Sequence, residues 1–127
     1  MFKDESIHST DGKRSYRIKS YNRCQTRNLV YLIYCEKCNK PTYVGETERK
    51  LQERAKEHLA DIRYQRQTPV AEHFNTGNHK ISDAMFCILE KMHDESKIFR
   101  LVKERDWMLR LGTVKPEGVN IKSNLNI

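Results

Sequence analysis

Residues 29–63 read LVYLIYCEKCNKPTYVGETERKLQERAKEHLADIR, and this stretch decides the architecture. The run at 29–34 is short, β-branched and aromatic, which predicts a buried strand. Residues 36–41 form a turn punctuated by Asn39 and Pro41. Residues 42–45 predict a second strand that pairs back on the first. Gly45 near its end marks a bulge or a close backbone approach. A helix follows from about residue 48 to 63, with Leu51, Ala55, Leu59 and Ile62 as its apolar stripe.

Downstream, Thr68 and Pro69 are an N-cap and first helical position, opening a short helix that stops near Gly77. Residues 84–91, AMFCILEK, predict a third strand. Asp94 or Ser96 caps a final helix ending near Gly112. Its stripe is Leu101, Met108, Leu109 and Leu111, with Trp107 beside it. The order of elements predicts a small α/β sheet covered by helices. Upstream, residues 1–27 lack apolar periodicity and carry Lys13, Arg14, Arg17, Lys19, Arg23 and Arg27. They read as a flexible or loosely docked basic arm or linker, leaving the folded domain at 28–127.

The chain has 127 residues, the size of one domain. Its 24 Lys and Arg against 17 Asp and Glu give a net charge of +7, which favours polyanionic partners such as nucleic acid. No apolar run approaches the roughly 20 residues that span a bilayer, and the polar N-terminus does not resemble a signal peptide. The expectation is an intracellular protein with no membrane partner. Four cysteines do not make a disulfide scaffold in a chain of this size. Cys35-x2-Cys38 points instead to a metal ligand pair or a redox dithiol.

Three groupings carry chemistry. Glu104 shares one side of the last helix with Leu101, Trp107 and Met108. A carboxylate in an apolar seam is costly unless a cation compensates it, although an edge glutamate paired with a lysine or arginine fits the same spacing. Arg54 and His58 lie i, i+4 on one helix. They suit phosphate recognition and proton transfer, or an ordinary solvated face. Tyr31 and Tyr43 sit on neighbouring strands, where two phenols can meet or simply fill the sheet.

Tyr31, then Tyr43-Val44-Gly45, Arg54, His58, Glu104 and Asn120, in that order, resemble the GIY-YIG nuclease superfamily. Leu29 stands where that family often has glycine. The stretch YVGETERKLQERAKEH, Glu104-x2-Trp107 and Pro116-x-Gly118-x-Asn120 extend the likeness over roughly residues 28–122. It is closest to the endonuclease domains linked to reverse transcriptases in Penelope-like retroelements. Those domains resemble this chain in a cysteine pair between the tyrosine motifs and a later histidine pair, here Cys35, Cys38, His73 and His79. Two thiolates and two imidazoles suit a closed tetrahedral structural zinc site. A free thiol pair and surface histidines are the plain alternatives, Cys24 is a possible competing ligand, and Cys87 reads as core.

The resemblance implies a three-stranded, mainly antiparallel sheet flanked by helices, with an inserted zinc site. It implies hydrolysis of DNA to 5′-phosphate and 3′-hydroxyl ends with one Mg²⁺ or Mn²⁺ held by Glu104. Arg54 would stabilise charge on the phosphate, Tyr31 would take a proton from water with His58 as acceptor, and Tyr43 would position water or phosphate. Asn120 would bond backbone or substrate. A reverse transcriptase in the natural polypeptide and a nuclear location follow from the same likeness. A catalytically silent zinc-stabilised binding module and a host repair nuclease for branched DNA are the competing classes.

Overall fold

The computed structural model describes residues 6–17 and 25–121. The elements are β1 (Ser6–His8), β2 (Ser15–Arg17), β3 (Arg27–Cys35), β4 (Lys40–Lys50), α1 (Leu51–Arg63), α2 (Pro69–Phe74), a 3-10 turn (Ile81–Asp83), β5 (Ala84–Lys91) and α3 (Lys97–Leu111). The sheet runs β4-β3-β5, with β3 antiparallel to both neighbours. β1 and β2 form a separate antiparallel hairpin. Among the described residues no helix is long and apolar enough to cross a membrane.

Central β3 is buried along almost its whole length because both faces are covered, which explains its unbroken apolar run. Leu29, Tyr31, Ile33 and Cys35 pack under α1 and α2, against Leu51, Ala55, Ile62, Val70, Ala71 and Phe74. Val30, Leu32 and Tyr34 face α3 through Trp107, Met108 and Leu111, with Cys87 in the same cluster. The Thr68 hydroxyl accepts the Ala71 amide at 3.1 Å, so it caps α2 as its position implied. Gly112 ends α3 in the left-handed region at φ 72°.

Several boundaries differ from expectation: β3 begins at Arg27 and β4 at Lys40, inside the expected turn. β4 continues to Lys50, so α1 starts at Leu51 rather than near 48. Cross-strand pairing of Lys50 with Arg27 keeps the charged segment extended. Leu109 is 58% exposed. It sits about 100° round the helix from buried Met108, so the inner stripe of α3 excludes it.

The larger difference is at the N-terminus. Residues 6–17 form a docked hairpin rather than a loose arm. Ile7 is buried in the α3-side cluster, Tyr16 meets the Trp107 ring edge-on at 5.2 Å, and the Thr10 amide donates to the Leu111 carbonyl at 2.8 Å. Each strand has three residues, too few for a period to show in sequence. Lys19, Arg23 and Cys24 lie outside the described residues.

Ile7→Ala should therefore lower unfolding free energy by about 2–5 kcal/mol, the usual cost of emptying a packed aliphatic site. Urea denaturation measures it. An unchanged midpoint would mean that the hairpin is an appendage.

Candidate active site and metal centre

The site forms along the outer edge of β4, whose inner edge pairs with β3. An exposed edge leaves backbone groups that must find partners. The Thr42 carbonyl accepts the Val119 amide at 2.9 Å. The Val44 amide donates to Asn120 Oδ1 at 2.8 Å, and Asn120 Nδ2 donates to the Val44 carbonyl at 3.0 Å. Two residues on, the Glu104 carboxylate lies against the Glu46 backbone. Asn120 is buried and also accepts the Thr113 hydroxyl at 2.7 Å, so its side chain serves the backbone. A Cβ at Gly118 would lie 2.3 Å from the Thr113 carbonyl oxygen, which is why this loop needs glycine to close.

Tyr31 pairs across the sheet with Gly45. A Cβ at 45 would sit 2.4 Å from the Tyr31 hydroxyl, so the glycine vacates the space the phenol occupies. The Tyr31 hydroxyl is 2.7 Å from His58 Nε2. The Tyr31 and Tyr43 ring centroids are 6.4 Å apart, and His58 lies 5.7 Å from the first and 5.6 Å from the second. Arg54, one turn before His58, carries a charge that acts on both phenols and bonds Glu57 at 3.0 Å. Glu104 comes from α3, on the other face of the sheet, and its charge also reaches both phenols past the edge of β4. Tyr31, Tyr43, Arg54, His58 and Glu104 are thus brought together from four elements.

Burial dominates the electrostatics. Burial, then neighbouring Tyr43, hold the Tyr31 phenol well above its ordinary value, while Arg54 pulls the other way. Burial and Glu104 raise Tyr43. Burial, then the Arg54 charge, push His58 down to about 3, so its imidazole is neutral. A neutral Nε2 that accepts the Tyr31 hydroxyl requires the hydrogen on Nδ1, and Nδ1 is buried without a partner among the described residues. Burial, then Glu46, raise Glu104 to about 7. A half-buried carboxylate beside a second one is a group short of positive charge, and a divalent cation fits that deficit.

A second cluster lies at the β3–β4 turn. The ligand atoms of Cys35, Cys38, His73 and His79 all fall within 4.8 Å of one another, so the four could hold a metal ion such as zinc. Cys38 Sγ is 3.9 Å from His73 Nε2 and 3.3 Å from His79 Nε2. Tetrahedral zinc with ordinary bond lengths places sulfur and nitrogen about 3.6 Å apart. The His79 Nδ1 faces the Thr76 carbonyl at 2.8 Å, which orients the ring and leaves Nε2 for the cluster. Cys87 is buried in strand β5, away from this group.

Sequence reasoning missed Glu46 and Arg100. Arg100 is 3% exposed on the inner face of α3. Its Nε donates to Glu46 Oε1 at 2.8 Å, and Lys97 Nζ donates to Glu46 Oε2 at 2.9 Å. Burial opposes the Glu46 charge, but these bonds outweigh it and hold the carboxyl below its usual range. The available signal was spacing, since Arg100 precedes Glu104 by one helical turn. Glu46, Arg54, Lys97 and Arg100 help line an open cleft of about 470 Å³ next to the site.

A family model described as the GIY-YIG catalytic domain matches residues 27–117. The match includes every member of the site except Asn120, which lies just beyond it. No curated protein and no solved structure matches the chain.

The His58 value has a consequence for acid stability. The unfolded chain binds a proton there near ~6.5, whereas the folded imidazole stays neutral down to about 3. Its contribution is complete above the unfolded value and drains away as pH falls from about 6.5 toward 3. Replacing His58 by Gln should flatten the decline in Tm between pH 7 and pH 4 relative to wild type. Parallel Tm–pH curves would contradict the burial of a neutral imidazole.

Proposed function

Because the chain belongs to the GIY-YIG catalytic domain family, we propose that it is a metal-dependent DNA endonuclease. The observation that carries this reading is the convergence of Tyr31, Tyr43, Arg54 and His58 with Glu104 at one strand edge. A divalent cation, Mg²⁺ or Mn²⁺, would be held by the Glu104 carboxylate and would supply neutralisation of charge on the phosphate and the leaving oxygen.

The other steps belong to side chains of this chain. The Arg54 guanidinium bonds the phosphate oxygens as negative charge builds on them. Tyr31 hands its proton to His58 Nε2 and takes one from the attacking water, so that the buried phenol never carries a lasting charge. Tyr43 orients the water or the phosphate. Water attacks in line opposite the 3′ oxygen, the phosphorus–3′ oxygen bond breaks as the new one forms, and the departing oxygen takes a proton from solvent, leaving a 5′-phosphate and a 3′-hydroxyl with no covalent intermediate.

The finer reading is that this nuclease nicks target DNA for a retroelement of the Penelope-like kind. A 3′-hydroxyl at a nick can prime a linked reverse transcriptase, and the cysteine and histidine pairs resemble those domains. Chromosomal DNA as substrate would place the protein in the nucleus. The basic surplus supports binding to the DNA backbone. Zinc at Cys35, Cys38, His73 and His79 would be structural, since four protein ligands leave no open position.

Incubation with supercoiled plasmid and Mg²⁺ tests the activity. Wild type should yield nicked circles that a polymerase extends without phosphatase treatment. Glu104→Gln should abolish nicking while keeping DNA affinity, and its metal-free melting temperature above pH 5 should equal or exceed wild type, because the raised carboxyl costs stability as pH rises above the unfolded value. Wild-type nicking by the variant would remove Glu104 from the reaction, and ends that block extension would reverse the assigned polarity.

The cluster makes a separate prediction. Elemental analysis should find about one zinc per chain, and Cys35→Ser or Cys38→Ser should cost several kcal/mol of stability. Metal-free protein melting at the wild-type temperature would rule out a structural ion.

A further inference from the structure

We propose that Arg100 is a positioning residue for the catalytic carboxylate: by clamping Glu46 it fixes the strand edge against which Glu104 lies. The inference rests on the nuclease reading of the same site and assigns it a residue that carries no chemistry itself.

The geometry is specific. Glu46 follows Gly45, so its peptide adjoins the contact that seats the Tyr31 hydroxyl. Its backbone lies against the Glu104 carboxylate, and its side chain, 13% exposed, has each oxygen engaged by a cation, Arg100 on one and Lys97 on the other. Arg100 is the buried member of the pair. Its Nη1 also donates to Asn28 Oδ1 at 2.9 Å and to the Glu95 carbonyl at 3.1 Å.

Asn28 is in turn fixed. It occupies the left-handed region at φ 60°, where asparagine is favoured among non-glycine residues. Its Nδ2 donates to the Met92 and Asp94 carbonyls at 3.2 and 3.0 Å. The guanidinium therefore joins the start of β3, the outer strand β4 and the segment before α3 at one point. A planar fork can make these bonds together, whereas an ammonium of similar reach can keep the charge but not the fan of donors. Arg100 and Glu104 are one turn apart on a rigid helix, so whatever fixes the first fixes the approach of the second. Groups that orient metal ligands in this way typically change metal affinity or activity by about 10–100-fold when lost.

The test uses the full chain with Arg100→Lys and, as a second variant, Glu46→Gln, which keeps the backbone amide and the side-chain shape. Zinc is supplied first so that the cysteine–histidine cluster does not compete. Mn²⁺ alone is then titrated by calorimetry, and single-turnover nicking is measured separately, both well below each melting temperature. Arg100→Lys should weaken Mn²⁺ binding and slow nicking about tenfold or more per folded molecule, with DNA affinity in EDTA unchanged. Glu46→Gln should move both in the same direction. Lower melting temperatures with wild-type Mn²⁺ affinity and rate would make Arg100 a brace only and overturn the proposal. A wild-type chain that neither binds Mn²⁺ nor nicks DNA would instead sink the nuclease reading, and this inference with it.

Discussion

Everything in this site depends on one constraint, the need to satisfy the outer edge of β4. Strand β3 uses up the inner edge of its neighbour. The outer edge carries the same density of amides and carbonyls, with no strand among the described residues to meet them. The chain answers with a loop and a helix rather than another strand. Asn120 imitates a backbone partner at Val44, and the Glu104 carboxylate lies against the Glu46 backbone. A residue that lies against the strand edge is thereby set where its charge reaches phenols on the opposite face of the sheet. Fold and chemistry use the same atoms.

That arrangement concentrates groups that would rather be neutral. Tyr31, Tyr43, His58 and Glu104 are each shifted toward their uncharged forms, with burial as the leading cause. The cations that balance them are placed unevenly. Arg54 faces the phenols and is only partly engaged, through Glu57. Arg100 and Lys97 are committed to Glu46. The result is a pocket with one guanidinium whose charge acts on the phenols and one carboxylate, Glu104, with no ion pair among the described residues, an asymmetry that suits a phosphate and a metal arriving together.

Much of this was legible in the sequence, and what was lost had physical reasons. The β3–β4 pair and α1 could be read because apolar runs, a turn and a stripe follow one another in a short span. Thr68 and Pro69 fixed α2 by chemistry alone. The meeting of Tyr31, Tyr43, Arg54, His58 and Glu104 was available through ordered spacing and a family likeness, not through local pattern. The hairpin at residues 6–17 was invisible, because Ile7 and Tyr16 alone cannot form a period. Leu109 was misassigned because an apolar residue one step from a buried one looks the same in sequence. Arg100 was hidden by its type: a charged residue on a helix is ordinarily solvated, and partners 54 and 72 positions away in the chain make its burial sensible.

The cysteine–histidine cluster also has a topological meaning. A bond through a metal from Cys38 to His73 would encircle the 34 residues between them, and that ring contains β4, α1 and the start of α2. Tyr43, Arg54 and His58 all lie within it. Tyr31 lies just before it and Glu104 well after. Closing a ring of this length removes many conformations from the unfolded chain and restricts how far α1 can slide along the sheet. An ion that touches no substrate would thus act as a tether, holding the arginine and histidine in register with the tyrosine on the neighbouring strand.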